Sequence, residues 1–140
     1  MASMPLHDIH IHVRYKLSAL WSALMFCYLY GDYFGLYVPD KLKGMLDGEG
    51  PVGPVSQGTL AGAALLLALP GVMVILSLLL PARLCRWLNV ALGMFYTAVM
   101  LITMPGAWAF YIALGVIEIV LSLSIAVLAL RWPRGGAASE

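Results

Sequence analysis

Charge is the scarcest thing in this chain. Its 140 residues carry eight basic and seven acidic side chains, 11% charged in all, where an ordinary soluble domain has about 25%. Hydrophobic residues make up 62%. A chain this short exposes much of its surface, and so few charges cannot clothe it, which excludes a soluble monomer. The net charge of +1 excludes the basic face of a nucleic-acid binder. Cysteine is nearly absent. Cys27 and Cys85 are too few for a disulfide framework, and helical rise separates them by about 18 Å, beyond disulfide reach. No histidine falls in an apolar run, so there is no axial ligand for a haem. There is no nucleotide loop, no CxxC and no Ser-His-Asp set in one compartment. A soluble-type enzyme is not expected, and no cofactor is predicted.

What the chain does have is long apolar runs. About 20 such residues cross the hydrocarbon core as a helix, and four stretches qualify: about 15–38, 57–80, 87–104 and 107–130. They lack the period-2 alternation of barrel strands, and helices satisfy their own backbone groups in lipid. The first is too long for the apolar region of a signal peptide and reads as an uncleaved helix. The fold class is therefore all-α, an integral membrane four-helix bundle running up-down-up-down. Residues 1–14 form an N-terminal tail, 15–132 the transmembrane domain and 133–140 a disordered tail. Arg14, Lys16, Arg83, Arg86, Arg131 and Arg134 fall on one side and only Lys41 and Lys43 on the other. The positive-inside rule then puts both termini in the cytoplasm. Trp21, Trp87 and Trp132 are placed as anchors near that face and Trp108 near the outer one.

The connections are short, Pro81 to Arg86 between the second and third spans and Pro105-Gly106 between the third and fourth, which favours antiparallel neighbours. The longer link, 39–56, starts with PDKLKGML, a short surface helix with Leu42, Met45 and Leu46 on one side, resting on lipid or acting as a lid. GEGPVGPV follows as an extended turn, and Ser56 is placed to cap the second span. No repeat relates the two halves, so an inverted-repeat transporter gains no support.

Polar residues inside apolar spans are costly and call for a compensating environment. Glu118 lies near the midplane of the fourth span and Asp32 in the first. Tyr111, Gly115, Glu118 and Ser122 share one helical face, as do Asn89, Gly93, Tyr96 and Met100, and Tyr28, Asp32 and Gly35. Converging on the bundle axis, these faces form a candidate ligand or proton site of Glu118, Tyr96, Tyr28, Asp32, Tyr111, Asn89 and Ser122. Glu118 is expected there as a neutral acid donating to a tyrosine oxygen or a backbone carbonyl. The alternative is an interhelical hydrogen bond that only fixes packing. Asp32 is expected to pair with Lys41 or Lys43 near the outer interface. Tyr30, Tyr33 and Tyr37 form a stripe; Tyr33 and Tyr37 read as an aromatic belt, while the deeper Tyr28 and Tyr30 need acceptors.

Gly31 with Gly35, and Gly58 with Gly62, form two GxxxG motifs, expected to let the outer halves of the first two spans cross tightly or to drive dimerisation. Pro70-Gly71 should kink the second span and free a carbonyl. In HDIHIH, His7, Asp8, His10 and His12 make a weak metal candidate, since a tail without a second shell forms only a loose site.

The segments YKLSALWSALMFCYLYGDYFGL, PDKLK, RWLNVALG and GVIEIVLSL together resemble a family of small four-span bacterial membrane proteins known only as a domain of unknown function. The resemblance covers about Tyr15 to Trp132 and is most specific at Tyr28 to Asp32, at Arg86-Trp87 with Asn89, and at Ile117-Glu118. It implies a bacterial origin and four helices, and it implies no activity; the expected location is the bacterial inner membrane. A broader likeness to DoxX-like proteins, some linked to quinone redox systems, is one of architecture and carries no mechanism.

The expected function is a binding or accessory membrane protein whose acid-tyrosine cluster holds a lipid-like or quinone-like molecule. One alternative is a proton-coupled carrier of small hydrophobic compounds using Glu118, comparable to small multidrug exporters, although those carry their glutamate in the first span. Another is a purely structural subunit. The expected partners are the lipid bilayer, a hydrophobic small molecule, and a second copy or a membrane partner subunit, with no nucleic acid.

Overall fold

The computed structural model describes residues 9–50 and 53–132. The chain is mostly helical, with four long helices, α1 (Val13–Gly35), α3 (Gln57–Leu79), α4 (Ala82–Thr103) and α5 (Ala109–Leu130), and a short α2 (Lys41–Leu46). Between α2 and α3 a two-residue antiparallel ladder, β1 (Glu49–Gly50) with β2 (Gly53–Pro54), closes the Gly/Pro-rich link. The helix ends follow local chemistry. His12 caps α1 by accepting from the Arg14 amide through Nδ1. Ser56 and Thr59 form a reciprocal capping box on α3, satisfying two amides that have no partner within the helix. Arg14 donates to the carbonyls of Leu78 and Leu80 at 2.8 and 2.6 Å, and Arg86 donates to that of Leu130 at 3.0 Å. Two arginines thus satisfy the last carbonyls of neighbouring helices, where the dipole favours a cation.

Several boundaries differ from the hydropathy count. α4 starts at Ala82, because Arg83 and Arg86 end an apolar run without ending a helix. Only Leu80-Pro81 separates α3 from α4. The link from α4 to α5 spans residues 104–108 rather than two residues, with Gly106 at φ +79°. Three helices, α3, α4 and α5, are long and apolar enough to cross a membrane, consistent with a membrane protein. α1 matches them in length, but Arg14, Lys16, its serines, its tyrosines and Asp32 leave it less apolar.

Contacts fix the directions. Arg14 opens α1 and touches the end of α3, Gly31 near the end of α1 faces Leu114 early in α5, and Arg86 early in α4 touches the end of α5. The four long helices therefore alternate in direction. α1 packs on α3 and α5, and α4 packs on α5, while α3 and α4 meet only sparsely. One apolar cluster from all four, including Leu17, Trp21, Leu24, Met73, Tyr96 and Ile125, fills the middle. Large apolar side chains such as Leu65, Ile75, Val120 and Ile102 face outward, as expected where lipid is the solvent.

The close approaches are not at the GxxxG motifs. A Cβ on Gly62 would meet nothing within 4 Å, one on Gly58 would meet only Ser56, and one on Gly35 would meet the Lys41 ammonium. The start of α3 stands clear of α1, so the expected tight crossing there is corrected. The tight seam joins α4 to α5, where a Cβ on Gly93 would fall 2.8 Å from the Ser122 carbonyl oxygen and one on Gly115 2.9 Å from Met100 Cε. Trp21 is also reassigned. It is wholly buried and donates to Asn89, so it belongs to the core, whereas Trp87 and Trp108 are more than half exposed. The tail expected at 133–140, with Arg134, lies outside the described residues.

Candidate functional site

α3 carries Pro70 in its interior. Proline has no amide hydrogen, so the carbonyl four residues earlier, that of Leu66, loses its helical donor. Tyr96 of α4 replaces it, its hydroxyl donating to Leu66 O at 2.6 Å. The freed carbonyl is thus one point that ties α3 to α4 across their otherwise sparse seam. Tyr96 is itself held edge-on by Trp21, with ring centroids 5.9 Å apart, and packs at the same distance on a tilted Tyr28.

Beside this contact lies a partly enclosed cavity of about 260 Å³. Tyr28, Gly31 and Asp32 of α1 line it, with Leu66 and Leu67 of α3, Tyr96, Val99, Met100 and Thr103 of α4, and Tyr111 and Glu118 of α5. An engineered cavity of about 150 Å³ holds benzene, so this one has room for a substituted ring or the head of an amphiphile. It sits toward the end of the molecule that carries the 36–56 and 104–108 links.

Glu118 is 3% exposed, and its Oε2 has no hydrogen-bond partner among the described residues. The Tyr28 hydroxyl is likewise buried without a partner. The expected bond from Glu118 to a tyrosine oxygen or carbonyl is therefore corrected for Oε2. Tyr96 donates to Leu66, and Tyr111 donates to Thr103 at 3.2 Å. Asp32 is exposed at the cavity margin, and Lys41 lies with its ammonium over Gly35 in the last turn of α1; no ion pair joins Asp32 to Lys41 or Lys43 among the described residues, which corrects the expected pairing.

Five of the seven predicted site residues thus share one cavity. Asn89 and Ser122 do not line it. Asn89, wholly buried, accepts from Trp21 Nε1 at 2.7 Å and from Ser77 at 3.3 Å, and donates to the Cys85 carbonyl at 2.8 Å. Cys85 Sγ donates to Ser77 O. This network pins α1, α3 and α4 together two turns from Tyr96. Ser122 shares a 2.7 Å hydroxyl contact with Thr97, which also donates to Gly93 O. Shared helical faces placed these residues inward, but the faces alone did not separate packing from cavity. Leu66, Leu67, Val99 and Thr103 were missed as cavity wall, since nothing but tertiary placement distinguishes them from other apolar or small polar residues. Tyr30, Tyr33 and Tyr37 face outward, and the last two share a 2.9 Å hydroxyl contact.

His12 acts as a helix cap beside Trp132, and His10 is exposed. Among the described residues no group of three His, Cys, Asp or Glu side chains is placed to hold a metal ion. His7 and Asp8 lie outside the described residues.

An alternating four-helix arrangement with a buried acid and outward apolar faces describes a class, and comparison places the chain within a family. Residues 4–139 match the family of unknown function DUF6326, and the chain belongs to it. No curated protein and no solved structure matches the chain, so the DoxX-like comparison has no named relative behind it.

Proposed function

We propose that α1, α3, α4 and α5 form a four-helix bundle in a bacterial inner membrane, both termini cytoplasmic, that holds a lipid-like or quinone-like molecule with its polar end toward Glu118 and Tyr28. Three helices have the required length and apolarity. α1 is packed between α3 and α5, so it follows them through the same thickness with its polar residues partly shielded. Arg14, Lys16, Arg83, Arg86 and Arg131 gather at one end and Lys41 and Lys43 at the other, which supports the orientation.

The observation that carries the binding role is Glu118, nearly wholly buried, with Oε2 unpartnered at the wall of the cavity. An acid kept only for packing would have its oxygens tied to donors. The test is mass spectrometry of wild type and Glu118→Gln extracted in polymer discs that retain native lipid. A molecule enriched over bulk lipid with the wild type and depleted in the variant is expected. Equal, unenriched lipid in both, with only a stability difference, would leave a structural subunit.

A second role, proton-coupled carriage of small hydrophobic compounds, draws support from the partial enclosure of the cavity beside the sparse α3–α4 seam. Proton-driven flux in liposomes that Glu118→Gln abolishes would favour it over static binding. The Gly58 and Gly62 face, which meets no other helix among the described residues, is available to a second copy or a membrane partner subunit.

A further inference from the structure

Resting on the binding role above, we infer that the cavity selects a lipophilic amine, its ammonium group seated between Glu118 and the tyrosine faces and its tail leaving toward lipid. The lining is chemically one-sided. It holds two carboxyls, Glu118 and Asp32, and three tyrosines, Tyr28, Tyr96 and Tyr111, and among the described residues no Lys, Arg or His lines it. Lys41 sits over Gly35 at the end of α1, and Glu118 has no positive partner among the described residues. A buried carboxylate is strongly disfavoured unless a cation accompanies it. A cation that brings its own apolar body meets both requirements of the site, charge at the acid and burial along the walls.

The aromatic rings add to this preference. Tyr28 and Tyr96 stand 5.9 Å apart at a 44° tilt, and the electron-rich faces of such rings attract ammonium groups. A quinone offers only acceptors. It would take the Tyr28 hydroxyl and a protonated Glu118 as donors and would bring no charge to the acid. When an ammonium ion binds at Glu118 the carboxyl proton leaves to water, so one positive charge replaces another and the net charge of the site is unchanged.

The experiment compares three probes on wild-type protein in lipid nanodiscs, with protein-free discs subtracted: benzyldimethyldodecylammonium, the uncharged benzyl dodecyl ether, and decyl benzoquinone. Trp21, edge-on to Tyr96, provides the fluorescence signal. The ammonium probe is expected to bind at least tenfold tighter than the ether. Glu118→Gln should erase that preference, Glu118→Asp should largely restore it, and Asp32→Asn should lower it less because Asp32 is exposed at the margin whereas Glu118 is buried. Equal binding of ammonium and ether, a preference for the quinone, or a preference unchanged in folded Glu118→Gln each overturns the amine assignment and leaves a ligand site standing. Binding of none of the three overturns the assignment and counts against the site as well.

Discussion

Glycines separate two kinds of contact at the residue scale. Gly93 admits the α5 backbone at a distance that no Cβ would allow, while Gly62 faces open space. Gly93→Ala is therefore expected to cost about 1–3 kcal/mol through forced separation of α4 and α5. Gly62→Ala should be neutral or stabilise by up to about 1 kcal/mol through helix propensity. Denaturant unfolding of the two variants in mixed micelles checks the contrast. A change of oligomeric state in Gly62→Ala would mark that face as an interface between copies. Asn89 offers a second contrast. Replacing it with Leu leaves Trp21 Nε1 and Ser77 Oγ without their acceptor, and each buried donor left unpaired costs about 1–3 kcal/mol. The same micelle assay should rank Asn89→Leu well below Ser124→Ala, since Ser124 bonds only within its own helix.

At the scale of elements, one of the bonds between α3 and α4 is conditional on Pro70. The Leu66 carbonyl needs Tyr96 only because residue 70 cannot donate to it. Tyr96→Phe should destabilise the native protein by about 0.5–1.5 kcal/mol and should cost measurably less in a Pro70→Ala background, where the helical amide returns. The double-mutant cycle tests this coupling directly; equal costs in both backgrounds would show that the hydroxyl acts on something other than the proline defect. Because Tyr96 also lines the cavity, the defect in α3 helps shape the wall opposite Glu118. A kink was legible in Pro70-Gly71, but which side chain would receive the freed carbonyl was not, since Tyr96 is distant in the chain and only tertiary packing brings it to Leu66.

For the whole molecule, the decisive quantity is the sign of the solvent preference of its outer surface. α3, α4 and α5 turn most of their apolar side chains outward, an arrangement stable in lipid and aggregating in water. Reporter fusions at residue 1 and at residue 140 should both score cytoplasmic, and a reporter in the 39–56 link should score external. An external C-terminus would mean that α1 does not cross, which is where hydropathy and helix length disagree.

The apolar composition, the four helical periods, the Ser56 cap and the inward faces carrying Glu118, Tyr96 and Tyr28 follow from local rules: hydropathy, capping chemistry and the repeat of about 3.6 residues per turn. These act over a few residues, so the amino-acid order alone determined them. It also misled where one local pattern has several tertiary uses, as with the GxxxG pairs and Trp21. Only the packed structure decided that Gly93 and Gly115 take the close contacts, that Asn89 and Ser122 are fasteners rather than lining, and that Oε2 of Glu118 is left unpaired. Each depends on which helix stands opposite at a given height. That is settled by the joint fit of four surfaces, which no single segment encodes.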